Sequence, residues 1–217
     1  MRITPAFDRL RALLLSLALL LFLSACTNLN TLRETLSQQP VEQALFNYRL
    51  DVEHTTLQFN VGQTRGRFGV FDAHLTFANN GIESGQLSVN IATGSVTSAN
   101  PFAQGWLRGS EGFDSSQHPI ATFTTQPDGL AVVSDNEVTF AGELTVREVI
   151  QPLTLTVILA EGLPTPSENV MIPFTASGSF SRAAFGIDGL QAFAPDTVNL
   201  EVSGLLKPAD QAPQPAQ

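Results

Sequence analysis

The sequence predicts an all-β protein, an antiparallel sheet or barrel, and three observations carry that prediction. Apolar residues recur with a period of two in one stretch after another, and turn residues separate the stretches. One stretch, "RGRFGVFDAHLTF" (65–77), changes parity midway, as a strand does when a bulge bends it. The stretch "NPFAQGWLRG" (100–109) breaks alternation, and it reads as a short helical cover.

The elements follow in chain order. The N-terminus carries Arg2, Arg9 and Arg11 against one acid, Asp8, and an apolar run from Ala12 to Leu23 follows. A bilayer span needs about 20 apolar residues, so this run has the length of a signal-peptide core rather than of a membrane helix. It ends in Leu23-Ser24-Ala25-Cys26, and Cys26 is the only cysteine in the chain. An aliphatic residue, two small residues and then a cysteine resemble a bacterial lipobox. That resemblance implies cleavage before Cys26, and a diacylglyceryl group plus an acyl chain on the new N-terminus. Two or more chains give stable membrane anchoring, at roughly 0.8 kcal/mol per buried CH₂. Thr27 stands where an inner-membrane retention signal usually has Asp, which favours the outer membrane. Residues 26–45 lack alternation, and Pro40 interrupts a helix-like stretch, so they read as a tether.

From there the strands begin. Leu57, Phe59 and Val61 alternate with Thr56, Gln58 and Asn60. Phe68 and Val70 share one face, then Phe71, Ala73, Leu75 and Phe77 share the other, with a bulge expected near Gly69. Leu87, Val89 and Ile91 form the next face, and Leu153, Leu155, Val157 and Leu159 a longer one. Phe174, Ala176, Gly178 and Phe180 line up, as do Val198, Leu200 and Val202. The last residues, 207–217, are rich in Pro, Gln and Ala and read as a disordered tail.

Composition excludes some classes of function. The chain has net charge −9, and removing residues 1–25, with three Arg and one Asp, takes it to −11. Such a surface lacks the basic footprint that nucleic acid requires. It also lacks a polybasic patch for anionic lipid heads. With Cys26 spent on lipid no disulfide can brace the fold, so burial alone must hold it. His54, His74 and His118 are never at zinc-ligand spacing, and there is no Gly-x-Ser-x-Gly elbow. No metal, cofactor or catalytic group is implied. Thirteen of the fifteen Phe lie beyond the signal region, against one Trp and one Tyr. Phe adds apolar area without a donor that needs a partner. A filled core and a lined tunnel both read as alternating apolar residues, and periodicity does not separate them.

Several stretches taken together resemble the YceI-like family of lipocalin-like polyisoprenoid-binding proteins. They are "YRLDVEHTTLQFNV" (48–61), "RGRFGVFDAHLTF" (65–77), "WLRGSEGFDSSQHPIATF" (106–123), "FAGELTVREVIQPLTLTV" (140–157) and "SRAAFGI" (181–187). The departures are a short link at Gly62–Thr64, Trp106 where the family often has His, Gln104 where it often has Asp, and Ala184 in place of Asp. The resemblance spans about 46–206. It implies an extended antiparallel barrel of about eight strands around a tunnel for a long isoprenoid or similar amphiphile.

On that reading the tunnel lining is Phe59, Phe68, Leu75, Phe77, Leu87, Val89, Phe123, Phe140, Leu155, Phe174 and Phe180, with Trp106 as a candidate cap at the entrance. Arg108 and Arg182 are candidates for a ligand headgroup, since a guanidinium fork suits phosphate oxygens. The alternative is that they form structural bridges to Asp51, Asp72, Asp114 or Glu143. The expected protein is exported and anchored through Cys26. It binds, sequesters or carries an apolar or amphiphilic ligand, and whether it forms a homodimer is left open. Two rivals remain: an interaction protein with a filled barrel, and an enzyme that acts on a lipid in the tunnel.

Overall fold

The computed structural model describes residues 45–78, 81–164, 170–189 and 194–209. The signal segment, Cys26, the tether as far as residue 44 and the tail from residue 210 lie outside them. The strands are β1 (Leu45–Leu50), β2 (Thr56–Val61), β3 (Thr64–Phe68), β4 (Phe71–Ala78), β5 (Gln86–Ala92), β6 (Val96–Ser98), β7 (Ile120–Ser134), β8 (Glu137–Val146), β9 (Val149–Leu159), β10 (Ile172–Ser181) and β11 (Thr197–Pro208). The one α-helix among them is α1 (Pro101–Arg108).

All pairings are antiparallel, and they close. The ring runs β1-β4-β5-β7-β8-β9-β10-β11 and returns to β1 through Tyr48↔Pro208 and Leu50↔Leu206. This is the eight-stranded barrel that the family resemblance implies. Three of its walls are long strands, each broken once. β1 passes into β2 through a turn at Val52–His54, which Asp51 caps by accepting from the Glu53 N–H at 3.3 Å. β5 passes into β6 through a turn at Thr93–Ser95. β3 passes into β4 through Gly69 and Val70. Above these breaks β11 pairs with β2, β2 with β3 and β3 with β6, so the same walls continue upward.

The break at Gly69–Val70 does what the parity change requires. With two residues outside the ladder, Phe68 and Phe71 both turn inward. Val70 does not share the face of Phe68, as the sequence pattern suggested; it is 62% exposed. Its carbonyl still accepts from the Ala92 N–H at 2.9 Å, so the bulge stays tied to the next wall. The hairpin between β8 and β9 turns on Arg147 (φ 52°) and Glu148 (φ 65°), the left-handed pair of a tight two-residue turn. At the C-terminus, Lys207 and Pro208 belong to β11 opposite Arg49 and Tyr48, although their composition groups them with the tail. Lys207 Nζ lies 3.7 Å from Asp51 Oδ2.

α1 forms where Asn100 can cap it. Asn100 Oδ1 accepts from the N–H groups of Phe102 (3.0 Å) and Ala103 (3.4 Å), and Pro101 follows, where its missing N–H costs nothing. Arg108 closes the last turn, and its Nε and Nη2 donate to the Val96 carbonyl at 3.1 and 2.8 Å. That carbonyl belongs to β6, which pairs only with β3 among the described residues. The helix and its arginine therefore cover a strand edge that would otherwise stay open.

Candidate functional site

Inside the barrel the alternating residues leave two apolar cavities. The upper one, under α1, has a volume of about 210 Å³. Its wall includes Phe59, Phe68, Phe113, Phe180, Leu107 and Trp106. The lower one, in the ring proper, has a volume of about 110 Å³, and every residue lining it is Leu, Ile, Val, Phe or Ala. Ile91, Leu144 and Leu200 line both, so the two compartments meet at a waist of three aliphatic side chains.

The hollow depends on how the large side chains are laid. Phe59 stands directly opposite Gly66 in the β2–β3 pair, and its ring lies where a Gly66 side chain would be. Phe123 lies over Gly142 in the same manner, with its Cζ 2.7 Å from where a Cβ would sit. Flattened against the wall by these close approaches, both rings leave the barrel axis open. In the upper compartment Phe59, Phe68 and Phe113 pack on one another, with centroids 5.5 Å (Phe59–Phe68), 6.4 Å (Phe59–Phe113) and 5.5 Å (Phe68–Phe113) apart. The last two contacts are edge-to-face, the geometry that ring quadrupoles favour.

The predicted lining residues divide between the compartments. Phe59, Phe68, Phe180 and Trp106 line the upper one. Leu75, Leu87, Val89, Phe123, Phe140, Leu155 and Phe174 line the lower one. Phe77 lines neither: it is 1% exposed and stacked between Phe46 (5.8 Å) and Tyr48 (5.6 Å). Period-two reasoning put it with Leu75 because both face inward, but it sits at the end of β4, past the hollow. Trp106 donates its Nε1–H to Glu111 Oε2 at 3.2 Å, which fixes the indole against the rim. Phe113 and Leu144 line the cavity without having been singled out in the sequence, and Ile91, read there only as part of a strand face, lines it too. Phe113 lies in an irregular segment where no alternation marks it.

The two candidate arginines are both committed to the backbone. Arg108 holds the Val96 carbonyl and lines neither cavity. Arg182 borders the upper compartment but is 5% exposed. Its Nε donates to Pro195 O (3.0 Å), Nη1 to Ile187 O (2.7 Å) and Gly189 O (2.6 Å), and Nη2 to Ala194 O (3.0 Å). Neither forms the bridge to Asp51, Asp72, Asp114 or Glu143 that was the sequence alternative; carbonyls take that place. The "SRAAFGI" stretch then has a structural account. Arg182 gathers the loop after it. Phe185 is 1% exposed and meets Phe180 edge-on at 5.3 Å. Gly186 (φ 68°) ends the turn in the left-handed region. Arg147 works likewise, with Nη1 donating to Gly112 O (3.3 Å) and Gly186 O (3.1 Å).

Electrostatics around the barrel is quiet. Burial raises the Asp51 carboxyl, but the His54 hydrogen bond, the charge of Lys207 and the Glu53 N–H outweigh it and hold the group below the usual carboxylate range. Asp196 is lowered by hydrogen bonds from Ser181 and the Ala183 N–H, partly opposed by burial and helped by Arg182. Neither carboxylate lines a cavity. Among the described residues no group of three His, Cys, Asp or Glu could hold a metal ion.

With this geometry in view, comparisons with known proteins decide the family. The YceI-like domain model matches residues 48–205. The chain belongs to the YceI-like family. It is similar to the UPF0312 protein of Shewanella denitrificans, 26% identical over 148 residues, which cover 65% of this chain and 76% of that one. A UPF0312 protein of Pectobacterium carotovorum is 29% identical over 150 residues, 64% of this chain and 75% of that one. Among solved structures, Burkholderia cenocepacia BcnA superposes with a TM-score of 0.63 at 20% identity, covering 72% of this chain and 98% of that one. A polyisoprenoid binding domain from Saccharophagus degradans gives 0.56 at 19% identity, covering 76% and 99%. At such identities the superpositions establish the YceI-like barrel fold.

Proposed function

We propose that this YceI-like protein binds a long apolar or amphiphilic molecule, of isoprenoid or similar lipid type, along the barrel axis, and sequesters or carries it at the cell envelope. The observation that carries the reading is the two-compartment cavity. It is apolar through its lower half, it meets at an aliphatic waist, and its polar groups are confined to the α1 end. A chain threaded through it needs no catalytic group. About ten buried carbons would gain roughly 8 kcal/mol gross, less the costs of association and of freezing the chain. The Saccharophagus domain of the same fold, named for polyisoprenoid binding, supports this reading. The hollow interior weighs against a filled barrel that serves only to dock partners. An enzyme acting on lipid would need an acid or histidine facing the hollow, and among the described residues neither lining includes one.

The location rests on the N-terminal sequence. Cys26 at the end of its apolar run supports a lipid anchor, with Thr27 favouring the outer membrane and the barrel in the periplasm. The test is mass spectrometry of organic extracts from protein purified gently from its own membranes. A long-chain lipid or quinone present at about one per barrel is expected, and extracts with no such molecule would overturn the binding role.

A further inference from the structure

The barrel has two unlike ends. At one lie α1 and the upper compartment. At the other lie the start of β1, the end of β4, the β7–β8 hairpin at Asp135 and Asn136, the end of β9, the start of β10 and the end of β11. Aromatic rings pack this second end: Phe46, Phe77 and Tyr48 form one stack, and the last two are buried. Its outermost residues are nevertheless apolar and open. Leu45, Val133 and Met171 are more than half exposed, and Val132 and Val170 more than a third. Register fixes their places on the rim. Leu45 opposes Ala78, the last residue of β4. Val132 opposes the buried Val138 beside the hairpin and continues the face of the buried Leu130. Val170 and Met171 lead into Ile172, which opposes Leu206 near the end of β11.

The covalent course of the chain says what meets this end. Cys26 stands nineteen residues before Leu45. On the anchor proposed above, which this inference assumes, its lipid lies in the membrane. Nineteen residues reach at most about 65 Å when fully extended, so the barrel stays beside that membrane. A short tether holds a site at an effective concentration on the order of millimolar. A small apolar rim that would not bind a membrane from free solution can therefore dock when held next to one. The α1 end also exposes apolar side chains, among them Phe102, Ile120 and Ile150, but the chain from Cys26 enters the barrel at the opposite end.

Charge says which surface suits it. Glu83, Asp135, Glu137 and Glu161 stand in or beside the turns of this end. Arg49 and Lys207 oppose each other in the β1–β11 pair, and Lys207 is held by Asp51 at 3.7 Å. Acids outnumber the cations here, so an anionic surface repels this end and a zwitterionic one does not.

We infer that the end of the barrel opposite α1 docks on the zwitterionic surface of the membrane that holds the anchor, through Leu45, Val132, Val133, Val170 and Met171. The α1 end then points away from that membrane.

The experiment uses the full lipidated chain in phosphatidylcholine vesicles. Cys26 is the only cysteine and carries the lipid, so one introduced cysteine gives a single labelling site. Val133→Cys, Met171→Cys and, at the α1 end, Phe102→Cys are each labelled with a bimane fluorophore. Quenching by spin-labelled phosphatidylcholine reports contact with the bilayer. The labels at positions 133 and 171 are expected to be quenched at least threefold more than the label at position 102. Added phosphatidylglycerol is expected to lower that quenching at least twofold at low salt, and adding Leu45→Asp and Val170→Asp is expected to abolish it. Equal quenching at the three positions, stronger quenching at position 102, or quenching that rises with phosphatidylglycerol overturns the inference while the anchor stands. Labels at 133 and 171 that are shielded in detergent-solubilised dimers, and not quenched by spin-labelled lipid, give the rim to a second copy and overturn it too. An intact mass with no lipid on Cys26 removes the anchor and this inference together.

Discussion

At the scale of single residues, the arginines of this chain act on backbone rather than on ligand. Arg182 is the clearest case: buried to 5% exposure, it donates to four carbonyls of the loop that follows it. A guanidinium does this because its donors are fixed in a planar fork. Lysine has a point charge and a flexible stem, and methionine has no donor. Each buried carbonyl left without a partner costs about 1–3 kcal/mol. Arg182→Met is therefore expected to lower the unfolding free energy by about 3 kcal/mol or more, and Arg182→Lys by more than half as much, read from urea unfolding of the purified domain. A loss under about 1 kcal/mol in both would mean that the loop finds its partners elsewhere. This role was hidden in the sequence for a physical reason. Charge complementarity directs attention to acids such as Asp51 and Glu143, whereas carbonyl partners carry no side-chain signature. Trp106, by contrast, was legible as a candidate cap, because it stands in a segment that breaks alternation, and it lines the upper compartment.

At the scale of elements, the walls of the barrel are strands tuned to leave room. Gly142 in β8 faces Phe123 of β7, and Gly66 of β3 faces Phe59 of β2. A small residue on one strand lets the large ring of its neighbour lie flat. Gly66→Ala, whose new Cβ meets only the Phe59 ring, would force that ring off the wall and into the upper compartment. Overpacking of this kind costs about 1–3 kcal/mol, and it would also narrow the passage. The variant is expected to stay folded, with unchanged far-UV circular dichroism, but to lose at least tenfold in affinity for a long-chain fluorescent probe. Equal affinity in the two proteins would show that the upper compartment is not part of the site. The strands themselves were readable because period two survives in nearly all of them, as in Leu153, Leu155, Val157 and Leu159. The bulge at Gly69 was readable from parity alone. Its local consequence for Val70 was not, because a two-residue break reverses the faces at a point that alternation cannot locate. Phe77 was misassigned to the lining for a related reason: alternation tells which face a residue takes, not how far along the axis the hollow extends.

At the scale of the whole molecule, the barrel is a sheet that closes on itself and keeps a dry interior. Closure removes the open edges of the ring, and α1 with Arg108 covers the remaining edge at β6. Two of the rings that line the interior, Phe59 and Phe123, lie flat against glycines of the neighbouring strands, Gly66 and Gly142. Order and spacing of the family-like stretches made this architecture legible before any coordinates. The division of the interior into two compartments was not legible. It is set by three residues, Ile91, Leu144 and Leu200, from β5, β8 and β11, which only closure brings together. The central claim is that a guest chain passes this waist and fills both halves of the axis. A crystal structure of the protein purified from its native membranes, without delipidation, tests it directly. The account predicts one continuous tube of density from Trp106 past Leu144 to Phe174. Side chains of Ile91, Leu144 and Leu200 closed on one another, with no density on either side, would contradict it.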